Sequence, residues 1–285
     1  MCSKRCCGGC CAVLVVLVAA LVMKFQEMKP RILEYHCAAY LPECPLFQRS
    51  WLDGVLVLQI TAADSFRKDH ADAGWSKAVE ALQQKSARSR RQPRMLVLGP
   101  NTLFEDAAEF RQLAKMSTKL VLVEANERLN GNLTGNLLRY GHARENFDIM
   151  NAAMTDEPAG NLTFYVVDDG KQTESSLVNY FGSGVEVSVR SLTPGSLLEE
   201  LGLDNVDILH TDLEGYDLRI LSKFFALESF APEILKFEWL FAAQQKGPGP
   251  FDMMPMLNML SSRGYDLHQD AYDMIAVRRS LLEEA

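Results

Sequence analysis

No cysteine occurs after residue 44: all seven (Cys2, Cys6, Cys7, Cys10, Cys11, Cys37 and Cys44) stand near the start of the 285-residue chain. The rest of the sequence therefore has no disulfide, thiolate metal site or cysteine nucleophile. Basic residues are scarce there too. Residues 95–285 hold 15 Lys and Arg against 29 Asp and Glu, whereas residues 1–94 hold 14 against 8. An acidic main domain excludes nucleic acid as the partner, because phosphate binding rests on Lys and Arg. With 48% hydrophobic and 23% charged residues the chain is globular rather than disordered, collagenous or coiled-coil. Internal repeats, low-complexity tracts and the Gly-x-Gly-x-x-Gly fingerprint of dinucleotide binding are missing.

Long apolar runs are missing except for one. Between Arg5 and Lys24 stand 18 uncharged residues, strongly apolar from Ala12 to Met23, at the lower limit for crossing about 30 Å of hydrocarbon. This predicts a single-pass signal anchor in residues 1–30; the competing reading is a signal peptide cleaved near Ala20. Lys4 and Arg5 before the run, with Lys24, Lys29 and Arg31 after it, leave its orientation open. Cys6, Cys7, Cys10 and Cys11 either carry palmitoyl groups or serve as small apolar residues. The sequons at Asn132 and Asn161, and a Cys37–Cys44 disulfide, would suit a lumenal domain in the endoplasmic reticulum or Golgi. Residues 31–93 read as a leader subdomain with a helix near Trp75–Gln83. It ends in Arg88-Ser89-Arg90-Arg91, which is either a solvated basic linker or a proprotein-convertase site.

From residue 94 to 285 short apolar strands alternate with helices. Strands are expected at Met95–Leu98, Leu120–Val123, Phe147–Asn151, Thr163–Val167, Val185–Val189, Val206–Leu209, Glu233–Glu238, Tyr265–His268 and Met274–Val277. Helices are expected around Asp106–Lys115, Leu133–Ala143, Tyr216–Phe225 and Met253–Ser262. This rhythm predicts an α/β, Rossmann-like fold: a mostly parallel seven-stranded sheet, helices on both faces, and a C-terminal antiparallel hairpin.

In such a sheet a ligand lies beyond the carboxyl ends of the strands. After the first strand stands Gly99-Pro100-Asn101-Thr102; after the second, Glu124, an acid that can accept ribose hydroxyls, followed by Asn126. The third strand ends in Asn151-Ala152-Ala153, and a later one in His210-Thr211-Asp212-Leu213-Glu214-Gly215. That order matches an adenosine-containing cofactor on a Rossmann-like sheet.

These residues resemble the FkbM family of S-adenosylmethionine-dependent methyltransferases. Val206 to Gly215 is similar to the family's apolar strand ending in Lys-Ile-Asp-Val-Glu-Gly, and Val123-Glu124-Ala125-Asn126-Glu127 to its Phe-Glu-Pro-Asn-Pro. Asn151-Ala152-Ala153 resembles its Asn-Ala-Ala, Val187 to Leu192 its Val-Pro-Val-Arg-Thr-Leu, and Leu235-Lys236-Phe237-Glu238 its late strand ending in Glu. The resemblance implies a class I methyltransferase fold with S-adenosylmethionine held by Gly99, Asn101, Glu124, Asn126, Asn151, Ala152 and Asp212. It also implies O-methylation of a hydroxyl on a sugar or other small molecule. Two departures fall in the first loop, where the family has Asp-Val-Gly-Ala-Asn-Ile-Gly. Leu103 replaces the second glycine, where the backbone is expected to approach the methionine portion, and Pro100 removes an N–H.

Candidate catalytic residues are His210 and Asp212, which alternate onto one strand face, with Glu214 beside them. Asp212 is expected to orient the acceptor or cofactor and His210 to take the proton; for His210 the alternative is a hydrogen-bonded core histidine. Glu214 lines the acceptor site or caps the next helix, and Glu238 binds acceptor hydroxyls or forms a rim salt bridge. Gly247-Pro248-Gly249-Pro250 and the methionines after it suggest a lid or a helix core. No metal is expected, because two carboxylates without further ligands do not make a site. The function that competes with catalysis is a membrane-anchored scaffold that keeps the fold without the reaction.

Overall fold

The computed structural model describes residues 68–103, 106–167, 175–177, 184–238, 253–270 and 273–284, all within the unit Gly54–Ala285. The apolar N-terminal run, its cysteines and the Gly247–Pro250 segment lie outside the described residues. Among the described residues no helix is long and apolar enough to cross a membrane.

The elements are α1 (Lys68–Ser89), β1 (Arg94–Leu98), α2 (Ala107–Lys115), β2 (Lys119–Glu124), α3 (Asn130–Tyr140), β3 (Phe147–Asn151), β4 (Ala153–Met154), β5 (Gly160–Val166), β6 (Val185–Leu192) and α4 (Pro194–Leu201), continuing with β7 (Ile208–Thr211), α5 (Asp217–Phe225), β8 (Ile234–Glu238), α6 (Met253–Ser262), β9 (Tyr265–Asp270), β10 (Asp273–Arg278) and α7 (Arg279–Glu283). Seven strands form one sheet in the order β3-β2-β1-β7-β8-β10-β9. All neighbours are parallel except β10, which runs antiparallel to both β8 and β9. The central strands β1, β7 and β8 are buried on both faces, as strands covered by helices on either side are.

The β-rich runs expected at residues 163–167 and 185–189 form, but outside the main sheet. With β4 they make a separate three-stranded sheet, β4-β6-β5, with a small core of Ala153, Phe164 and Val166. Polar residues alternate along β6 because only one of its faces is covered. The main core also crosses the boundary drawn at residue 93. Trp75, Ala78, Val79, Ala81 and Leu82 of α1 share one core cluster with Met95, Val97, Ile275 and Val277 of the main sheet. The basic stretch after that helix is tied down as well, since Arg91 forms an ion pair with Asp207, whose carboxylate also accepts the backbone N–H of Arg94 at 2.7 Å. Helix α4 was not expected from sequence. Its signal is Thr193-Pro194-Gly195-Ser196, a capping box with proline at the first helical turn.

Candidate functional site

The strand order reverses between β1 and β7, which opens a crevice at their carboxyl ends. Gly99 leaves β1 with φ +72°, and a Cβ placed there would lie 1.9 Å from the carbonyl oxygen of Asp212. Only a residue without a side chain lets the two strand ends approach this closely. Gly99 donates its N–H to Val123 at 3.0 Å, and Asp212 donates its own to Leu98 at 2.9 Å.

Glu124 ends β2 and is buried. Its two oxygens accept the backbone N–H groups of Asn126 at 2.8 Å and Asn101 at 2.9 Å, so one carboxylate ties the loop after β2 to the loop after β1. Burial pushes its pKa up to about 7, against the backbone N–H groups that stabilise the charge. The N–H of Ala125 also bonds this carboxylate; of its about four lone-pair positions one remains for a ligand. The buried Asn126 starts a short 3₁₀ turn by accepting the N–H of Arg128 at 3.3 Å. Asn151 is exposed; its amide donates to the Glu124 carbonyl at 3.2 Å, and its oxygen accepts from Asn130 at 2.7 Å. Ala152 is buried beside it.

Leu103 does not occupy the cleft as expected. It has φ +56° and turns its side chain into the core shared by α1, α2 and α3, where it is 2% exposed. Its carbonyl accepts the hydroxyl of Tyr140 at 3.0 Å, and its N–H closes a turn onto Pro100 at 2.9 Å. The residue that replaces glycine is thus accommodated on the side away from the crevice.

His210 and Asp212 separate in depth. His210 lies inside β7, 4% exposed, and its Nδ1 has no hydrogen-bond partner among the described residues. Burial and the nearby Lys236 ammonium lower its pKa to about 4, against Asp106 and Asp273. A neutral imidazole of this kind is a poor proton acceptor near pH 7, which counts against His210 as the base. Asp212 reaches water at the mouth of the crevice while dense protein surrounds it. Desolvation and the charges of Glu214, Asp217, Asp273 and Asp106 hold its carboxyl well above the ordinary range. Glu214, half-buried with φ +50°, and Gly215 with φ +86° form the left-handed turn into α5. Asp217 closes that turn by accepting the N–H of Leu213 at 3.1 Å; burial pushes its pKa up to about 7.

Lys236 was not assigned a role from sequence. It is buried in β8 beside His210, in register, and its ammonium donates to Asp106 and Glu109 at 3.0 Å each and pairs with Asp273 at 3.3 Å. The signal was present in Ile234-Leu235-Lys236-Phe237, a lone cation in a strand buried on both faces, since such a charge requires partners. Lys236→Met should cost about 3–5 kcal/mol, because it leaves three carboxylates without their cation. Those carboxyls would then titrate above their unfolded values. The deficit should therefore be small below about pH 4, where both states are protonated, and grow as the pH rises toward 8. Urea melts across that range check it; a deficit independent of pH would contradict this account of Lys236.

A seven-stranded sheet of this order, with a glycine and a carboxylate meeting at its switch point, defines a Rossmann-like fold of the class I methyltransferase type. The model of the methyltransferase FkbM domain matches residues 61–267, and the chain belongs to that family. The matched span includes α1, in agreement with the shared core. Among solved structures, the O-methyltransferase TomG of Streptomyces achromogenes, solved in complex with SAM, is 12% identical with a TM-score of 0.37, covering 74% of this chain and 91% of that one. The methyltransferase FkbM of Methylobacillus flagellatus KT is 16% identical with a TM-score of 0.40, covering 65% and 43%. The O-methyltransferase of Bacillus cereus in complex with SAH is 9% identical with a TM-score of 0.38, covering 82% and 97%. A search of curated proteins gives no match.

Proposed function

We propose that the protein is an S-adenosylmethionine-dependent O-methyltransferase acting on a hydroxyl of a small molecule or glycan. The observation that carries this reading is the junction of Gly99, Asn101 and Glu124 at the switch point, drawn together by the 2.9 Å hydrogen bond from Asn101 to the Glu124 carboxylate. The residues fit the cofactor. Glu124 has one lone-pair position left for a ribose hydroxyl, Gly99 keeps the crevice floor free of a side chain, and Asn151 with Ala152 borders the same strand ends.

When bound, S-adenosylmethionine supplies an electrophilic methyl group on its sulfonium. The protein's contribution is to position the acceptor and receive its proton; positioning alone supplies on the order of 7–11 kcal/mol in well-oriented cases. Asp212 is the group we assign to the proton, because its carboxylate is exposed at the crevice while His210 is buried. His210 lies one layer deeper, where it fills the core and faces Lys236. The scaffold reading rested on Leu103 blocking the cofactor, and the burial of that side chain removes its main support.

We place the domain in the secretory pathway, held to a membrane by the apolar run before Lys24. Support comes from that run and from the exposure of both sequon asparagines, Asn132 on α3 and Asn161 on β5.

Calorimetric titration of the full chain with S-adenosylmethionine tests the cofactor. Saturable binding is expected, with at least a 100-fold loss in Glu124→Ala while the circular dichroism of the variant stays native. Failure of the folded wild-type chain to bind at millimolar ligand would overturn the reading.

A further inference from the structure

Three neighbouring strands bring carboxylates to the same level. Thr211 pairs with Phe237 and Glu238 with Asp273, so Asp212 just beyond β7, Glu238 at the end of β8 and Asp273 at the start of β10 stand abreast. Adjacent strands are about 4.8 Å apart, and like charges opposite one another in a sheet repel. Such a row needs a compensating charge.

The protein's own residues supply too little. Lys236 reaches Asp273 at 3.3 Å but is shared with Asp106 and Glu109 of the α2 region, and His210 beside it is neutral. The strongest electrostatic neighbours of Glu238 are acids on three elements: Asp212 and Glu214 in the loop after β7, Asp217 on α5, and Asp273 on β10. Glu238 is 6% exposed, and its Oε2 has no hydrogen-bond partner among the described residues. Without a ligand Glu238 and Asp212 favour their protonated forms: desolvation and those acids push Glu238 up to about 11 and hold Asp212 well above the ordinary range.

We infer that the Asp212–Glu238–Asp273 row is a subsite for a ligand's positive charge, an organic cation of the sulfonium or ammonium kind, in a site whose acceptor would otherwise be taken as a neutral hydroxyl compound. This rests on the function proposed above. The arriving cation displaces a proton from the row, so binding is linked to proton release and strengthens as the pH rises through neutrality.

The test is calorimetry on the full chain at pH 7.5 in phosphate and in MOPS, whose different ionisation enthalpies report the protons released. S-adenosylmethionine carries the sulfonium; S-adenosylhomocysteine is its neutral thioether counterpart. If the sulfonium is the cation, S-adenosylmethionine binds about tenfold tighter or more and releases about one proton. Glu238→Gln then erases both effects and leaves the affinity for S-adenosylhomocysteine unchanged. If the cation belongs to the acceptor, the two nucleosides bind alike. The protein loaded with S-adenosylhomocysteine then binds glucosamine in preference to glucose, with proton release that Glu238→Gln abolishes. Either pattern supports the subsite. Nucleoside binding with no cation preference and no proton release in either arm overturns it, as does a preference that survives in Glu238→Gln. No binding of either nucleoside overturns the methyltransferase reading as well. Thermal melting identifies any variant that fails to fold; Asp212→Asn provides a second variant of the row and should likewise reduce proton release.

Discussion

A chain beginning at Gln92, just after the basic stretch, should fail to fold, whereas one beginning at Gly54 should melt cooperatively. Trp75, Ala78, Val79, Ala81 and Leu82 are each no more than 3% exposed and pack in one cluster with Ile275, Val277 and Leu281. Truncating a single buried Trp or Leu costs about 2–5 kcal/mol. Removing the whole face exceeds the roughly 5–15 kcal/mol that holds a domain together. Two polar ties go with it, the 2.8 Å pair between Lys85 and Glu233 and the pairing of Arg91 with Asp207. Urea denaturation followed by circular dichroism decides the matter. A cooperative transition in the shorter chain, within about 2 kcal/mol of the longer one, would show α1 to be dispensable. By the same reasoning, proteolysis after Arg91 that separated α1 from the domain would destroy it rather than release it.

Gly99→Ala should cost about 2–5 kcal/mol and abolish cofactor binding. The left-handed conformation at φ +72° accounts for about 1–2 kcal/mol of that for any residue with a Cβ. The collision at 1.9 Å with the Asp212 carbonyl is with backbone, which can yield only if β1 and β7 part, and overpacking of this kind adds about 1–3 kcal/mol. Gly141→Ala provides the comparison. Gly141 has φ +99°, but its added Cβ would meet nothing closer than Ala114 at 3.8 Å, so only the conformational cost should appear and cofactor binding should persist. Equal losses in the two variants would mean that the Asp212 contact contributes nothing to the crevice.

The site was partly legible before the fold was known, for a physical reason. Loops after parallel strands carry their chemistry in short contiguous segments, so Gly99, Glu124, Asn151 and Asp212 could be read one strand at a time. Lys236 and its acids could not. Asp106, Glu109 and Asp273 lie 130, 127 and 37 residues from Lys236 in sequence, and only the packing of α2 over β8 and the pairing of β10 with β8 bring them to one ammonium. Asp217 was hidden in another way, since an acid at a helix start is unremarkable until its carboxylate is seen to accept the N–H of Leu213.

Leu103 shows the limit from the opposite direction. In sequence it stands where a glycine is expected, and the inference that it blocks a ligand assumes a direction for its side chain. The positive φ at that position, together with the apolar space beneath α2 and α3, sends the side chain into the core instead.

The sequence by itself determined the class of fold and the strand ends at which chemistry would sit, because hydrophobic periodicity and turn residues are local properties of the chain. Tertiary structure alone decided that α1 belongs to the core, that Leu103 faces inward, that His210 lies beside Lys236 and that Asp212, Glu238 and Asp273 stand in a row. Burial, register and the fields of neighbouring charges depend on residues far apart in sequence, and they exist only once the chain has packed.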